Sequence, residues 1–323
     1  MGAALTTTGR LRLLEMALDQ GINHFDTAPL YGQGQAESLL GTFCRCRRDT
    51  LTITTKYGLL PRQQPSLVRP LIPIARVINR RLLIPLRQRS ASRARKARAQ
   101  TPSPVTVPKS SDSAAAERPA TPAIPYTPAM LRSHLEGSLR DLATDYIDYY
   151  LLHECHADYL NAPFIDCLED LVREGKIRHY GIGSGRWQSR RILESHPAMP
   201  WVVQIPDAWT DNDTEWFVQR GKPPLFTHSS LRLSQEPGVT SLQSISKRWA
   251  TLTDQDPSLP GLVSDFLLSL ALTKNASGCV IFSSRNADHI RKNTQLLERA
   301  PDFQQAVKQV LLEVTDTHPS IRS

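Results

Sequence analysis

Along most of the chain, short apolar runs alternate with longer segments whose apolar residues recur at helical spacing. The runs at 24–28 (HFDTA), 51–58 (LTITTKYG), 146–153 (YIDYYLLH), 177–185 (IRHYGIGSG), 201–206 (WVVQIP), 224–230 (PLFTHSS) and 279–284 (CVIFSS) predict strands. They are short and largely apolar, as parallel strands covered on both faces are. The segments 35–46, 128–142, 164–175, 186–196, 213–221, a pair within 241–273, and 287–299 predict helices. In one of them Met130, Leu131, Leu135, Leu139 and Leu142 form the apolar stripe. A leading helix at 10–20 calls for a strand before it, and only MGAALTTTG is there to supply one. The repeated units predict a parallel α/β fold, a (β/α)8 TIM barrel over 1–323 with a short or incomplete first strand.

One segment breaks this pattern. Residues 61–125 hold 11 of the 24 prolines, and 13 Lys and Arg against the two acids Asp112 and Glu117. The net charge of +8 therefore belongs to this tract, because the tract alone carries +11 and the remainder is slightly acidic. We read 62–125 as a basic, Pro-rich insertion after the third strand, partly disordered, with a short amphipathic basic stretch in its first half. Such a tract suits anionic lipid or nucleic acid, but it lacks aromatics that stack on bases. A solvated linker or a lid rooted near the barrel mouth is the preferred reading.

Composition adds exclusions. At 40% hydrophobic and 22% charged, the chain can bury a sizeable core. It holds no apolar run of about 18 residues, the length a transmembrane helix needs. The first residues lack the basic-then-apolar order of a secretory leader. Five cysteines, Cys44, Cys46, Cys155, Cys167 and Cys279, show neither zinc spacing nor a disulfide framework, so a reduced, cytoplasmic protein is expected.

In parallel barrels, function collects where strands end. Asp26 and Tyr31 follow one predicted strand, Lys56 closes ITTK, and His153 closes YYLLH. Read alone, Asp26 could cap the next helix and Tyr31 could pack on its loop. Together, the four residues make a proton-donating site. An ammonium beside a phenol favours phenolate, a carboxylate aims the ammonium, and an imidazole holds a carbonyl oxygen. Cys155, His24 and Glu154 read as structural, and Trp209 as a candidate pocket wall.

These stretches, GINHFDTAPLYGQGQAESLLG, ITTKYG, the strand ending LLH, IRHYGIGSG and VIFSSRNADHIRKN, resemble the aldo-keto reductase family over about 10–60 and 126–300. The resemblance implies a barrel that holds NADP(H) in extended form, with NAD(H) left open. It also implies hydride exchange between that cofactor and an aldehyde, ketone or sugar carbonyl. Tyr31 would be the general acid, Lys56 its modifier, Asp26 the partner of Lys56, and His153 the substrate-orienting group. Gln204 matches the glutamine that hydrogen-bonds the nicotinamide amide, and His228 stands where an aromatic stacks on the ring. Ser184 replaces the family's Asn, and Gly183 its Ser. Ser284, Arg285, Asn286 and Asn293 keep the cofactor-tail pattern, with His289 beside them, whereas Phe282, Ser283 and Lys292 depart from it. These departures admit an alternative: a catalytically weak cofactor-binding or redox-sensing barrel whose basic insertion binds a partner.

Overall fold

The computed structural model describes residues 6–59, 123–207, 213–221, 225–231 and 242–317. Nearly all of the insertion, and Trp209, lie outside the described residues. Helix α1 (Thr7–Asp19) starts on Thr6, whose hydroxyl accepts from the Gly9 amide at 3.1 Å. There follow β1 (His24–Asp26), α2 (Ala36–Cys44), β2 (Thr52–Tyr57), α3 (Pro128–Leu142), β3 (Ile147–His153) and α4 (Ala162–Arg173). Next come β4 (Ile177–Gly183), α5 (Arg186–Ser195), β5 (Val202–Pro206), α6 (Asp213–Gln219) and β6 (Leu225–His228). The chain ends with α7 (Leu242–Leu252), α8 (Leu262–Lys274), β7 (Cys279–Ile281) and α9 (Ala287–Thr317).

The seven strands among the described residues run parallel and pair in chain order, β1 through β7, in one curled sheet. Each apolar run read as a strand forms one, and the architecture is the expected barrel, nearly closed. The segment expected to hold a first strand is described only from Thr6, which already caps α1. Among the described residues, nothing in the sheet joins β7 to β1. Across that seam α1 packs against α9. All three residues of β7 are half-exposed, whereas five of the six in β2 are buried.

Local signals set the helix starts. Thr127 and Asn161 cap α3 and α4, each followed by a proline in the first turn, where a missing N–H costs nothing. Between α2 and α3 the backbones touch at Gly41, where an added Cβ would stand 2.4 Å from the Asp141 carbonyl oxygen. Gly41→Ala is therefore expected to cost about 1–3 kcal/mol, the usual penalty of overpacking, despite alanine's better helix propensity. A urea titration checks this, and an unchanged midpoint would refute the close approach. Ile124 and Tyr126 are buried in the core, and the Tyr57 hydroxyl donates to the Pro125 carbonyl.

Two features depart from expectation or add to it. Helix α9 continues beyond 299, through Pro301 to Thr317, because Phe303, Ala306, Val307 and Val310 bury against Trp249 and the apolar face of α8. At the base of the barrel, buried Asp148 accepts from Arg48 at 2.6 Å and from the Ile53 amide at 2.9 Å, and pairs with Arg178 at 3.0 Å. The Tyr146 ring lies against both guanidinium groups, at 3.8 and 4.3 Å. No helix among the described residues is long and apolar enough to cross a membrane.

Candidate active site

Parallel strands end on one rim of the barrel, and there the sheet gathers side chains far apart in sequence. Lys56, the fifth residue of β2, faces inward with 2% exposure. Its ammonium donates to Asp26 Oδ1 at 2.6 Å, to Asp26 Oδ2 at 2.7 Å and to the Thr27 carbonyl at 3.0 Å. Register explains the pairing, since Asp26 stands beside Thr54 on the adjacent strand. Gly58 then brings β2 close to β3: at φ +122° it lies where a Cβ would come within 2.7 Å of the His153 carbonyl oxygen. Behind the wall, buried Glu37 accepts from the Thr55 hydroxyl at 2.7 Å and braces the strand next to Lys56.

Tyr31 opens a short 3-10 turn, Tyr31–Gln33, shaped by Gly32 and Gly34 at positive φ. Its ring stands edge-on to His153, with centroids 6.2 Å apart, and lies 4.9 Å from the Lys56 ammonium. The four residues expected to act together are thus brought to one place. Their electrostatics differ from expectation at one point. Burial, reinforced by the charges of Asp26 and Glu154, pushes the Tyr31 phenol up to about 12 rather than down. Lys56, although near, is engaged elsewhere: its three N–H donors face the two Asp26 oxygens and the Thr27 carbonyl. Burial also lowers the Lys56 ammonium, opposed by Asp26. Burial and the nearby Lys56 hold the His153 imidazole down at about 4, so it is neutral near pH 7.

A cavity of about 1010 Å³ opens over this cluster. At its barrel end lie Asp26, Tyr31, His153, Gln204 and His228, and at its far end Ser284 and Asn293 by the start of α9. On the seam side Leu13, Leu14 and Ala17 of α1 form its wall. Gln204 is buried, and its Nε2 donates to Asp26 Oδ2 at 2.8 Å, a contact the sequence does not announce. The His228 Nδ1 pairs with the Ser229 hydroxyl at 2.9 Å.

The remaining candidates are placed less directly. The Ser184 hydroxyl is committed to the wall, accepting from the Cys155 amide at 2.8 Å and donating to its carbonyl at 3.3 Å. The Asn286 side chain caps α9, accepting from the Asp288 amide at 3.0 Å, and its own amide donates to the Ser284 hydroxyl at 3.1 Å. Arg285, Asn286 and His289 are exposed at this helix start and do not line the cavity. Lys292, where the resemblance led one to look for Glu, pairs instead with buried Asp265 of α8 at 2.7 Å.

A buried ion pair, a phenol and a neutral imidazole around one cavity can donate a proton to a polar oxygen and hold it while another atom is attacked. Comparison with known proteins agrees in kind. The family model described as Aldo/keto reductase family matches residues 3–206. D-threo-aldose 1-dehydrogenase of Pseudomonas sp is 42% identical over 64 residues, 20% of this chain and 20% of that protein. The match thus spans a fifth of this relative's length. An aldo-keto reductase from Bacillus halodurans in its holo form superposes with a TM-score of 0.61 at 20% identity, covering 95% of this chain and 88% of that one. An aldo-keto reductase from Klebsiella pneumoniae in complex with NADPH does so at 0.57 and 17% identity, covering 95% and 87%.

Proposed function

The chain belongs to the aldo/keto reductase family, and from that premise we propose that it is an NADP(H)-dependent oxidoreductase that interconverts a small aldehyde, ketone or sugar carbonyl with its alcohol. The observation that carries the reading is the convergence of Asp26, Tyr31 and His153 on one cavity, with Lys56 buried behind them against Asp26 and the Tyr31 ring. Tyr31 donates the proton to the carbonyl oxygen. Neutral His153 donates a hydrogen bond to the same oxygen and orients it. Asp26 anchors Lys56, and the Lys56 charge beneath the phenol ring stabilises the phenolate left after transfer.

The site fits a nicotinamide dinucleotide in two respects. Its cavity reaches from the catalytic cluster to the start of α9, and Gln204 turns an amide oxygen toward it. When bound, the nicotinamide supplies or accepts the hydride. Gln204 and His228 would hold its ring, and Ser284 and Asn293 its tail. Arg285, exposed two residues before α9, would meet a 2′-phosphate there and set the preference for NADP(H) over NAD(H). Arg285→Ala is expected to weaken NADPH about tenfold, as the loss of one charge-assisted contact does, while leaving NADH unchanged. An unaltered ratio of the two dissociation constants would remove Arg285 from the site.

The relative with aldose activity favours a sugar carbonyl among the substrates to try first. The test is NADPH oxidation over a panel of small aldehydes, ketones and aldoses. Turnover with at least one establishes the reading. Tight NADPH binding without turnover supports the second reading, a cofactor-binding sensor, favoured by the fully engaged Lys56 donors and the raised phenol.

A further inference from the structure

We infer that Asp26 has a second task besides anchoring Lys56: as a positioning residue it fixes which end of the Gln204 side-chain amide faces the cavity, so that the site selects a ring substituent that donates a hydrogen bond. The inference rests on the nicotinamide reading above and concerns how the ring is told from close analogues.

An ionised carboxylate only accepts hydrogen bonds, whereas a glutamine amide has one donating and one accepting end. Asp26 Oδ2 takes Lys56 at 2.7 Å and the Gln204 Nε2 at 2.8 Å. Turning the Gln204 amide over would set its oxygen against that carboxylate, acceptor to acceptor, with both groups buried. The donating end is therefore held inward. The accepting end, Oε1, lies on the side of Gly183, the register partner of Gln204 on β4. An added Cβ on Gly183 would be 3.4 Å from this oxygen, and with none present the space between belongs to the cavity. Among the described residues no donor reaches Oε1. The neighbouring Ser184 hydroxyl is tied to Cys155 and does not share the task.

A primary carboxamide on the cofactor ring offers the N–H that Oε1 lacks. An acetyl group in the same position offers only an acceptor and leaves Oε1 unsatisfied. The polarity is set by a residue whose other partner is Lys56, so the group that reads the ring and the group that anchors the catalytic ammonium share one carboxylate.

The experiment compares dissociation constants, by calorimetry, for NADPH and for the reduced 3-acetylpyridine analogue of the same dinucleotide. Wild type is expected to bind NADPH about tenfold more tightly, the value of one hydrogen bond in a buried site. Gln204→Met, close in volume and without polar atoms at its end, should bind both equally. Asp26→Asn, whose amide can face Gln204 with either end, should also lose the preference. Equal binding by wild type overturns the inference, and a preference for the analogue shows the amide turned the other way. A preference that survives in Gln204→Met places the reader elsewhere, and one that survives only in Asp26→Asn removes Asp26 from the role. Failure of wild type to bind either dinucleotide refutes the cofactor reading itself and this inference with it, a result distinct from all the others.

Discussion

Tyr31→Phe should reduce carbonyl turnover by about a hundredfold to ten-thousandfold, the range for removing a positioned general acid, while leaving NADPH affinity within about twofold of wild type. The phenol is the group with a transferable proton beside both His153 and Lys56, and phenylalanine preserves the edge-on ring contact with His153. Single-turnover measurement with a reducible aldehyde separates the two quantities, and full turnover by the variant would sink the mechanism. The sign of the pH dependence follows from the same residue. Because the free phenol sits at about 12, it stays protonated through the physiological range, so reduction should show no loss from Tyr31 up to about pH 10. Oxidation needs the phenolate, and its rate should climb about tenfold per pH unit over the same interval. A plateau in oxidation well below pH 9 would point to another base.

Asp148→Ala should destabilise the barrel by about 3–5 kcal/mol, as breaking a buried ion pair does, and lower Tm by about 10 °C for a domain of this size. The loss is large because three groups lose one acceptor together: the Arg48 guanidinium, the Ile53 amide and the Arg178 guanidinium. Arg48 is mostly buried, and its remaining contacts to the Leu51 and Tyr146 carbonyls cannot neutralise it. The triad lies at the base of the barrel, away from the catalytic rim, so the folded variant should keep its kinetic constants. Thermal unfolding and steady-state assays on one preparation check both halves; a Tm within 2 °C of wild type would show the triad to be worth no more than a surface pair.

What could be read from the chain, and what could not, divides by distance. Strands announced themselves because β2, β3 and β5 are short runs rich in β-branched, aromatic and aliphatic residues. Asp26, Tyr31, Lys56 and His153 could be picked out because each is a polar residue placed where such a strand stops. The triad at Asp148 could not: its partners are about a hundred residues away on one side, and nothing in DYIDYY singles out this acid from Asp145. The bond from Gln204 to Asp26 joins residues 178 apart and depends on the width of the barrel. The raised phenol was missed for a related reason. Proximity of Lys56 and its pairing with Asp26 were inferable, but not the burial that outweighs them at the phenol. The helix read over 287–299 runs on through Pro301, because burial of Phe303 and Val307 stabilises the turns beyond it.

Among the described residues no strand bridges β7 and β1, and these two end strands differ mechanically from the five between them. A hoop resists widening because every strand is bonded to two others; a split hoop opens by bending, with its resistance concentrated opposite the cut. Here the stiff arc is β2 through β4, which carries Lys56 and His153, while Asp26 lies on β1 and α9 follows β7, the two end strands of the described sheet. A dinucleotide lying over Asp26 and Gln204 and on to Ser284 would reach from β1 to the residues after β7 and act as a strut. Amides of β1 and β7 should therefore exchange fastest in the free protein and gain the most protection on NADPH binding, with those of β3 and β4 little changed. The bound dinucleotide then ties together the two end strands of the described sheet.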